Sequence, residues 1–313
     1  MISLVARRIL QLILLLLGIS FIVFMSMYIA PGDPATVIAG PTASASDLEA
    51  IRTNLGLDKP VLEQYFNYLG GILHGDFGYS YQTGQTVTDA ILTRFPNTLK
   101  LAIASMIVAT IIGIVAGIIS AIKQNSWIDV TSTTIALFGV SIPNFWLGAM
   151  LILIFSVNLQ WFPVGGLNES IFSISGIKQL ILPAITLGTA SAALIARMSR
   201  SSMLEIIQSD YIRTAKAKGV KQKSLIWVHA LRNAMIPVIT VIGINFGSLL
   251  GGTIITEQVF AINGIGRLMI DAIASRDFPI VQGTVLLVAA IFVTVNLIVD
   301  IIYALIDPRI SYD

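Results

Sequence analysis

Residues 101–122 read LAIASMIVATIIGIVAGIISAI, 22 consecutive positions without Asp, Glu, Lys or Arg. A helix of about 20 apolar residues crosses the ~30 Å hydrocarbon core of a bilayer, so this stretch alone can form one membrane span. Five more charge-free windows accompany it: 9–32, 130–168, 179–196, 233–256 and 278–299, of 24, 39, 18, 24 and 22 residues. The longest could hold two spans by length. Its second half carries Asn158, Gln160, Pro163, Gly165, Gly166 and Asn168, which read as a loop, so one span is expected at about 131–157. The fold class that follows is all-α, a polytopic membrane protein with six transmembrane helices. Composition agrees. The 313 residues are 55% hydrophobic and 12% charged, with mean hydropathy +0.85, whereas soluble domains are about a quarter charged. An ordinary cytosolic enzyme is excluded.

Several chemistries are excluded as well. There is no cysteine, hence no disulfide and no thiolate metal site. His74 and His229 are the only histidines and both fall outside the spans, which leaves no ligands for a His-rich zinc site. The dipeptide Gly-Lys never occurs, so no Walker A loop can bind ATP phosphates. No Asp, Glu, Lys or Arg falls in the middle of a span, where ion-coupled transporters and voltage sensors need one, and the two halves show no evident repeat. An intramembrane hydrolase would need a nucleophile with a base, or paired aspartates, within the spans, and these are missing.

The net charge of +2 is distributed as a topology signal and not as a nucleic-acid patch. Arg7, Arg8, Lys123, Arg309 and the eight basic residues of 197–235 put twelve on one side. Arg52, Lys59, Arg94, Lys100, Lys178, Arg267 and Arg276 put seven on the other. The positive-inside rule then places both termini in the cytoplasm. Arg7-Arg8 before an apolar run also resembles a signal peptide, but the 24-residue run exceeds the 7–15 residues of a signal h-region, and a retained first span is expected.

Along the chain, the first span should stop at Pro31-Gly32-Asp33-Pro34. Three short amphipathic helices are expected in the external segment that follows. The first opens with a capping box, Ser46 as N-cap and Glu49 at N3, and ends near Gly56. The second starts at Asp58-Lys59-Pro60 and carries Val61, Leu62, Tyr65, Phe66, Leu69, Ile72 and Leu73 at helical spacing. The third holds Val87, Ile91 and Phe95 and ends at Pro96. Span 3 contains Pro143 between Ser141 and Asn144, either a kink or a pathway lining. Span 4 is expected from Pro183 to Arg197, with small residues at 188–193 for close packing. Span 5 starts near Pro237, and the GxxxG spacings 243–247–251 read as a helix–helix seam. Asn144, Asn245 and Asn296 are the candidate pathway residues, with packing hydrogen bonds as the alternative.

The most informative segment lies between spans 4 and 5. Asp210 can N-cap a short helix, 211–218, that Gly219 terminates, and a second helix at 223–235 leads into span 5. Five basic residues fall within 213–223. Simple positive-inside anchoring accounts for the charge but not for the helix–glycine–helix order.

This segment resembles the cytoplasmic loop of inner-membrane permease subunits of ATP-binding-cassette importers for dipeptides, oligopeptides and nickel. The family loop is written Glu-Ala-Ala, three residues, Gly, nine residues, Ile, one residue, Leu-Pro. Here Arg213-Thr214-Ala215 stands in place of Glu-Ala-Ala, Gly219 and Leu231 match, and His229 and Arg232 replace Ile and Pro. Those departures, "YIRTAKAKG" and "HALRNAMIP", are similar to the peptide branch. "RRILQLI", "PGDPA", "LGLDKPVLEQY", "GDFGYS", "VFAINGIGRL" and "DPRI" extend the resemblance over nearly the whole chain, and the long segment after span 1 resembles the first of two permease subunits.

The resemblance implies a type I ABC importer permease fold. Its parts would be an N-terminal span (1–31), an external segment (32–97), a five-helix core (98–305) with a coupling loop at 200–235, and a cytoplasmic tail (306–313). It implies a non-catalytic subunit of an ATP-driven, binding-protein-dependent importer in the cell membrane, most naturally for small peptides. Glutathione, nickel or a metal–chelator complex are the alternatives. The partners would be a second homologous permease, two ATPase subunits that bind ATP and Mg, an external solute-binding protein and the bilayer. No cofactor in this chain and no nucleic acid are expected. The coupling residues would be Asp210, Tyr211, Arg213, Thr214, Ala215, Lys216, Gly219, His229, Leu231, Arg232 and Asn233.

Overall fold

A computed structural model describes residues 2–29, 34–39 and 43–306. Helix α1 (Ile2–Ile29) is followed by α2 (Pro34–Ala39), α3 (Ala45–Leu55), α4 (Val61–Leu73) and a small antiparallel hairpin, β1 (Tyr79–Ser80) against β2 (Gln85–Thr86). Then come α5 (Val87–Ile122), α6 (Trp127–Ser141), α7 (Asn144–Leu151) with a π-helical continuation to Asn158, and α8 (Ile174–Gln208). The chain closes with α9 (Asp210–Ala217), the single turn α10 (Gln222–Ser224), a π-helical stretch Leu225–Ala230, α11 (Leu231–Val259), α12 (Ile265–Ser275) and α13 (Phe278–Ile306). The breaker at 31–33, the Asp307-Pro308-Arg309-Ile310 tail and the side chains of Arg7 and Arg8 lie outside the described residues.

Among the described residues, five helices are long and apolar enough to cross a membrane, and a sixth span exists only as a bent pair. That pair is α6 and α7 with its π extension, 105° apart, where a single span at 131–157 was expected. The cause is Pro143, which pushes the residue before it out of the α region. Ile142 is extended at φ −78°, ψ 126°. The loop expected after Asn158 is present.

Three other prolines depart from expectation in the opposite sense. Pro96, Pro183 and Pro237 lie inside α5, α8 and α11 and neither start nor end them. The stripe at 87–95 is therefore the first part of α5 and not a third separate helix. An interior proline costs about 3 kcal/mol, and packing along these helices offsets it. α8 instead starts where Ser173 Oγ accepts from Gly176 N at 3.0 Å. The capping box also moves. Ser44 Oγ accepts from Asp47 N (3.2 Å) and Asp47 Oδ2 accepts from Ser44 N (3.1 Å), so the box sits two residues before the Ser46–Glu49 pair. The expected stop at Gly56 is observed, with φ +66°.

The chain divides into two compact units, residues 1–96 with 263–294 and residues 97–262 with 295–313. The first has a core of Val87, Ala90 and Ile91 from α5, Ile265, Leu268 and Ala272 from α12, and Ile280 from α13. Here α12 is a helix that sequence reading left unassigned, although its buried residues fall at helical spacing. Its hairpin is tied down by Ser80 Oγ, which donates to the buried carboxylate of Asp277. In the second unit α8 and α11 enclose a core that includes Leu101, Leu187, Ile195, Val238 and Phe260. Small residues let helices touch, as expected. A Cβ on Gly188 would lie 2.7 Å from Ser105 O, and one on Gly117 would lie 2.5 Å from Ala196 O. The expected glycine seam of span 5 is only partly used, since Gly243 backs onto Val299 whereas a Cβ on Gly251 would meet nothing within 4 Å.

Candidate coupling site

Helix α8 ends at Ser209, whose extended backbone (φ −68°, ψ 152°) turns the chain. Its hydroxyl donates back to Ile206 O at 2.6 Å, so it closes α8 and leaves α9 without a side-chain cap. Asp210, expected as the N-cap, is instead the first residue of α9. There its carboxylate suits the helix dipole and pairs with Arg213 at 3.4 Å. Both groups are exposed, and such a pair contributes little.

The far end of α9 is a Schellman motif. Val220 N donates to Ala215 O (3.2 Å) and Gly219 N donates to Lys216 O (3.0 Å), with Gly219 at φ +83°. A Cβ at Gly219 would meet no heavy atom within 4 Å. The constraint there is the left-handed backbone, not crowding.

Two fastenings hold α9 in place. Beneath it, Ile212 is buried with Ile118 and Ala121 of α5, Met203 of α8, and Leu225, Ala230 and Ala234 that lead into α11; Ala215 and Leu231 pack at its edge. Burying an isoleucine in this way is worth roughly 2 kcal/mol. Beside it, Tyr211 Oη donates to His229 O at 3.1 Å, and Asn233 Nδ2 donates to Tyr211 Oη at 2.8 Å. Tyr211, His229 and Asn233 are thus brought together, His229 through its main chain. Arg213, Thr214, Lys216 and Arg232 face outward and are exposed. A cavity of about 460 Å³ opens beside α9, lined by Ile207, Gln208, Ile212, Arg213, Lys216, Gln222, Leu225 and Ile226. The second helix expected at 223–235 is present but irregular, α10 giving way to the π stretch before α11.

A buried ionic cluster braces the same region, and sequence reading missed it. Arg200 of α8 grips Asp129 at the start of α6 with both ends of its fork, Nε to Oδ1 at 2.7 Å and Nη2 to Oδ2 at 2.8 Å. Ser120 Oγ and Asn125 N (3.0 Å) complete the carboxylate's shell. The Asp129 side chain is only 6% exposed. Asp129 borders a charge-free window three residues after Ser126, whose side chain caps α6, so in sequence it reads as an ordinary first-turn acid. Its partner is 71 residues away. Another buried acid, Glu257 of α11, accepts from Thr98 Oγ1 at 2.7 Å.

The candidate pathway asparagines are dispersed over three helices. Asn144 opens α7 directly after the Pro143 break, and Asn296 sits in α13; both are half-buried. Asn245 Nδ2 donates to Val241 O of its own helix at 2.8 Å.

Residues 113–312 match the family described as binding-protein-dependent transport system inner membrane component, and residues 1–102 match its N-terminal component. The chain belongs to this family. Over 312 residues, all of both chains, it is 45% identical to the glutathione transport system permease protein GsiC of Escherichia coli (strain K12) and to GsiC of Shigella flexneri serotype 5b (strain 8401). In structure it is similar to an inward-facing form of the MetNI methionine ABC transporter, with TM-score 0.56 and 20% identity, over 69% of this chain and 96% of the other. The fold is that of a type I ABC importer permease, and the chain is a multi-pass inner-membrane permease subunit of an ABC importer. Its relatives are permease subunits of importers, consistent with a subunit that is not itself an enzyme.

Proposed function

We propose that the chain forms half of the translocation pathway of a peptide importer and that α9 is its point of attachment to an ATPase subunit. The observation that carries this reading is the build of α9, a short helix seated on Ile212, locked at Gly219 and free on its charged outer face. Closure of an ATPase around that face would move α9 as a rigid body and, through Ser209, move α8 with it. Exposed ion pairs contribute only ~0–1 kcal/mol each, so insertion and apolar burial beside the 460 Å³ cavity would dominate the grip. The residues of the loop divide by task in this reading. Ala215 and Leu231 support, Tyr211, His229 and Asn233 fasten, Gly219 terminates, and Asp210, Arg213, Thr214, Lys216 and Arg232 face the partner.

The full assembly would hold a second homologous permease, two ATPases that bind ATP and Mg, and an external solute-binding protein. Both termini would be cytoplasmic. Asn144, Asn245 and Asn296 would line the path. Small peptides are the inferred cargo, and glutathione, named for GsiC at 45% identity, is the first to test.

A cysteine-free chain allows single cysteines without background. Thr214→Cys and Ser170→Cys, both at exposed positions, would be treated with a membrane-impermeant thiol reagent. Labelling is expected at 170 in intact cells and at 214 only in inverted vesicles, less so with the ATPases bound. Labelling of 214 from outside overturns the topology; equal labelling with and without the ATPases removes the docking role.

A further inference from the structure

At about 100° per residue, helix α4 presents three faces spread around its circumference. One packs on α1. Tyr65 is buried there, its hydroxyl sharing a hydrogen bond with Ser20 Oγ (2.9 Å) and reaching Leu17 O (3.2 Å), with its ring against Phe21 (5.3 Å between centroids). Tyr68 lies against Phe24 at 5.6 Å, and Tyr28 Oη donates to Gln64 Oε1. Burial in these surroundings pushes the Tyr68 hydroxyl up to about 12.

The second face carries Leu62, Phe66 and Leu73, which are 64%, 66% and 84% exposed. The third carries Glu63 and Asn67, with the C-cap residue His74 following on the same side, and Glu63 pairs with Lys59 at 2.8 Å.

The depth of the α1 contact decides what covers the second face. Leu17 and Ser20 lie inside the apolar stretch Ile9–Ile29, nearer its middle than its outer end. A helix fastened there cannot stand wholly above a bilayer that α1 crosses. Three large apolar side chains in one row would be an unusual patch to leave in water, and Phe21 of α1, whose ring lies against Tyr65, is itself 42% exposed. The polar third face on the same helix asks for water, as an interfacial helix does when its apolar face sinks about 5–10 Å into the headgroup–acyl boundary.

We infer that α4 lies in the outer leaflet, its Leu62–Phe66–Leu73 face covered by phospholipid acyl chains and its Glu63–Asn67–His74 edge in the headgroup layer. The segment after the first span is then partly a membrane-embedded element. The inference rests on α1 as a span and is independent of any coupling role for α9.

Spin labels test it. Phe66→Cys and Asn67→Cys would each be labelled in the full importer reconstituted in phosphatidylcholine nanodiscs, and collisions with oxygen and with a water-soluble nickel chelate measured. The oxygen-to-nickel ratio should be several-fold higher at 66 than at 67. Ready access of the nickel chelate to position 66 would place that face in water and overturn the proposal. Shielding of 66 from both reagents would assign the face to a protein partner, which also overturns it. If the Phe66 variant fails to assemble, Leu62→Cys and Glu63→Cys give the same contrast one turn earlier.

Discussion

Helices α4 and α9 are built alike and finished differently. Each is short, each ends at a left-handed glycine, Gly75 after α4 and Gly219 after α9, and each is fastened by a tyrosine hydroxyl. Tyr65 reaches α1, and Tyr211 reaches the main chain at His229. The free faces then diverge. α4 shows leucine and phenylalanine, whereas α9 shows arginine, lysine and threonine. The fastening fixes where a short helix sits; the free face fixes the medium or partner it can meet.

The comparison can be broken most sharply at Gly219. Gly219→Val puts a β-branched side chain at φ +83°, which costs about 1–2 kcal/mol or more and tilts α9 off its seat. Uptake should fall at least tenfold (about 1.4 kcal/mol) while the amount of chain in the membrane stays the same. Near-normal uptake would remove α9 from the coupling path.

A loss of stability, and not of uptake in a well-folded complex, is expected from the ionic brace between α6 and α8. Asp129→Asn leaves the Arg200 guanidinium, 31% exposed, without its anion. Loss of one partner from a fully buried pair costs about 3–5 kcal/mol, and the partial exposure of Arg200 reduces this to roughly 2 kcal/mol. Thermal unfolding of the purified complex should show the drop, and adding Arg200→Gln should recover part of it, because the orphaned charge is then gone. A double variant as unstable as the sum of the two singles would mean that the pair contributes no coupling energy.

The smallest effects should come from the two tyrosines. Tyr65→Phe and Tyr211→Phe each delete one hydroxyl and its hydrogen bonds, at about 1 kcal/mol. Similar small losses of stability would support the likeness of the two fastenings. A loss of uptake confined to Tyr211→Phe would show that only the α9 fastening transmits work.

Much of this organisation was legible because long charge-free windows have few other uses. Five of the six expected spans, the loop after Asn158, the stops at Gly56 and Gly219 and the small-residue contacts of α8 all follow from local sequence. What escaped depends on packing between distant residues. Pro96, Pro183 and Pro237 read as boundaries because proline breaks helices in isolation, yet the three helices run through them. Pro143 is flanked by Ile142 in an extended conformation, and there the helix did break. Ser44 and Ser46 each have an acid three positions on, so the sequence alone could not choose the cap. The grip of Arg200 on Asp129 joins residues 71 positions apart, beyond any local pattern.

The π-helical stretch Leu225–Ala230 sets a condition of a different kind. Leu231 N donates to Ile226 O, five residues back, so this turn winds in more chain than an α-helical turn does. Each residue on a helix advances the screw by about 100°. A π turn spreads its rotation over more residues than an α turn, so the six residues here turn the chain about as far as five α-helical ones would. Losing one residue within Leu225–Ala230 would therefore restore ordinary winding and leave Leu225 facing Ile212, whereas losing one from the α-helical winding that follows would turn everything before it by that angle. The connection between Gly219 and α11 carries its slack in this one stretch, and the rest of it is cut to a fixed phase.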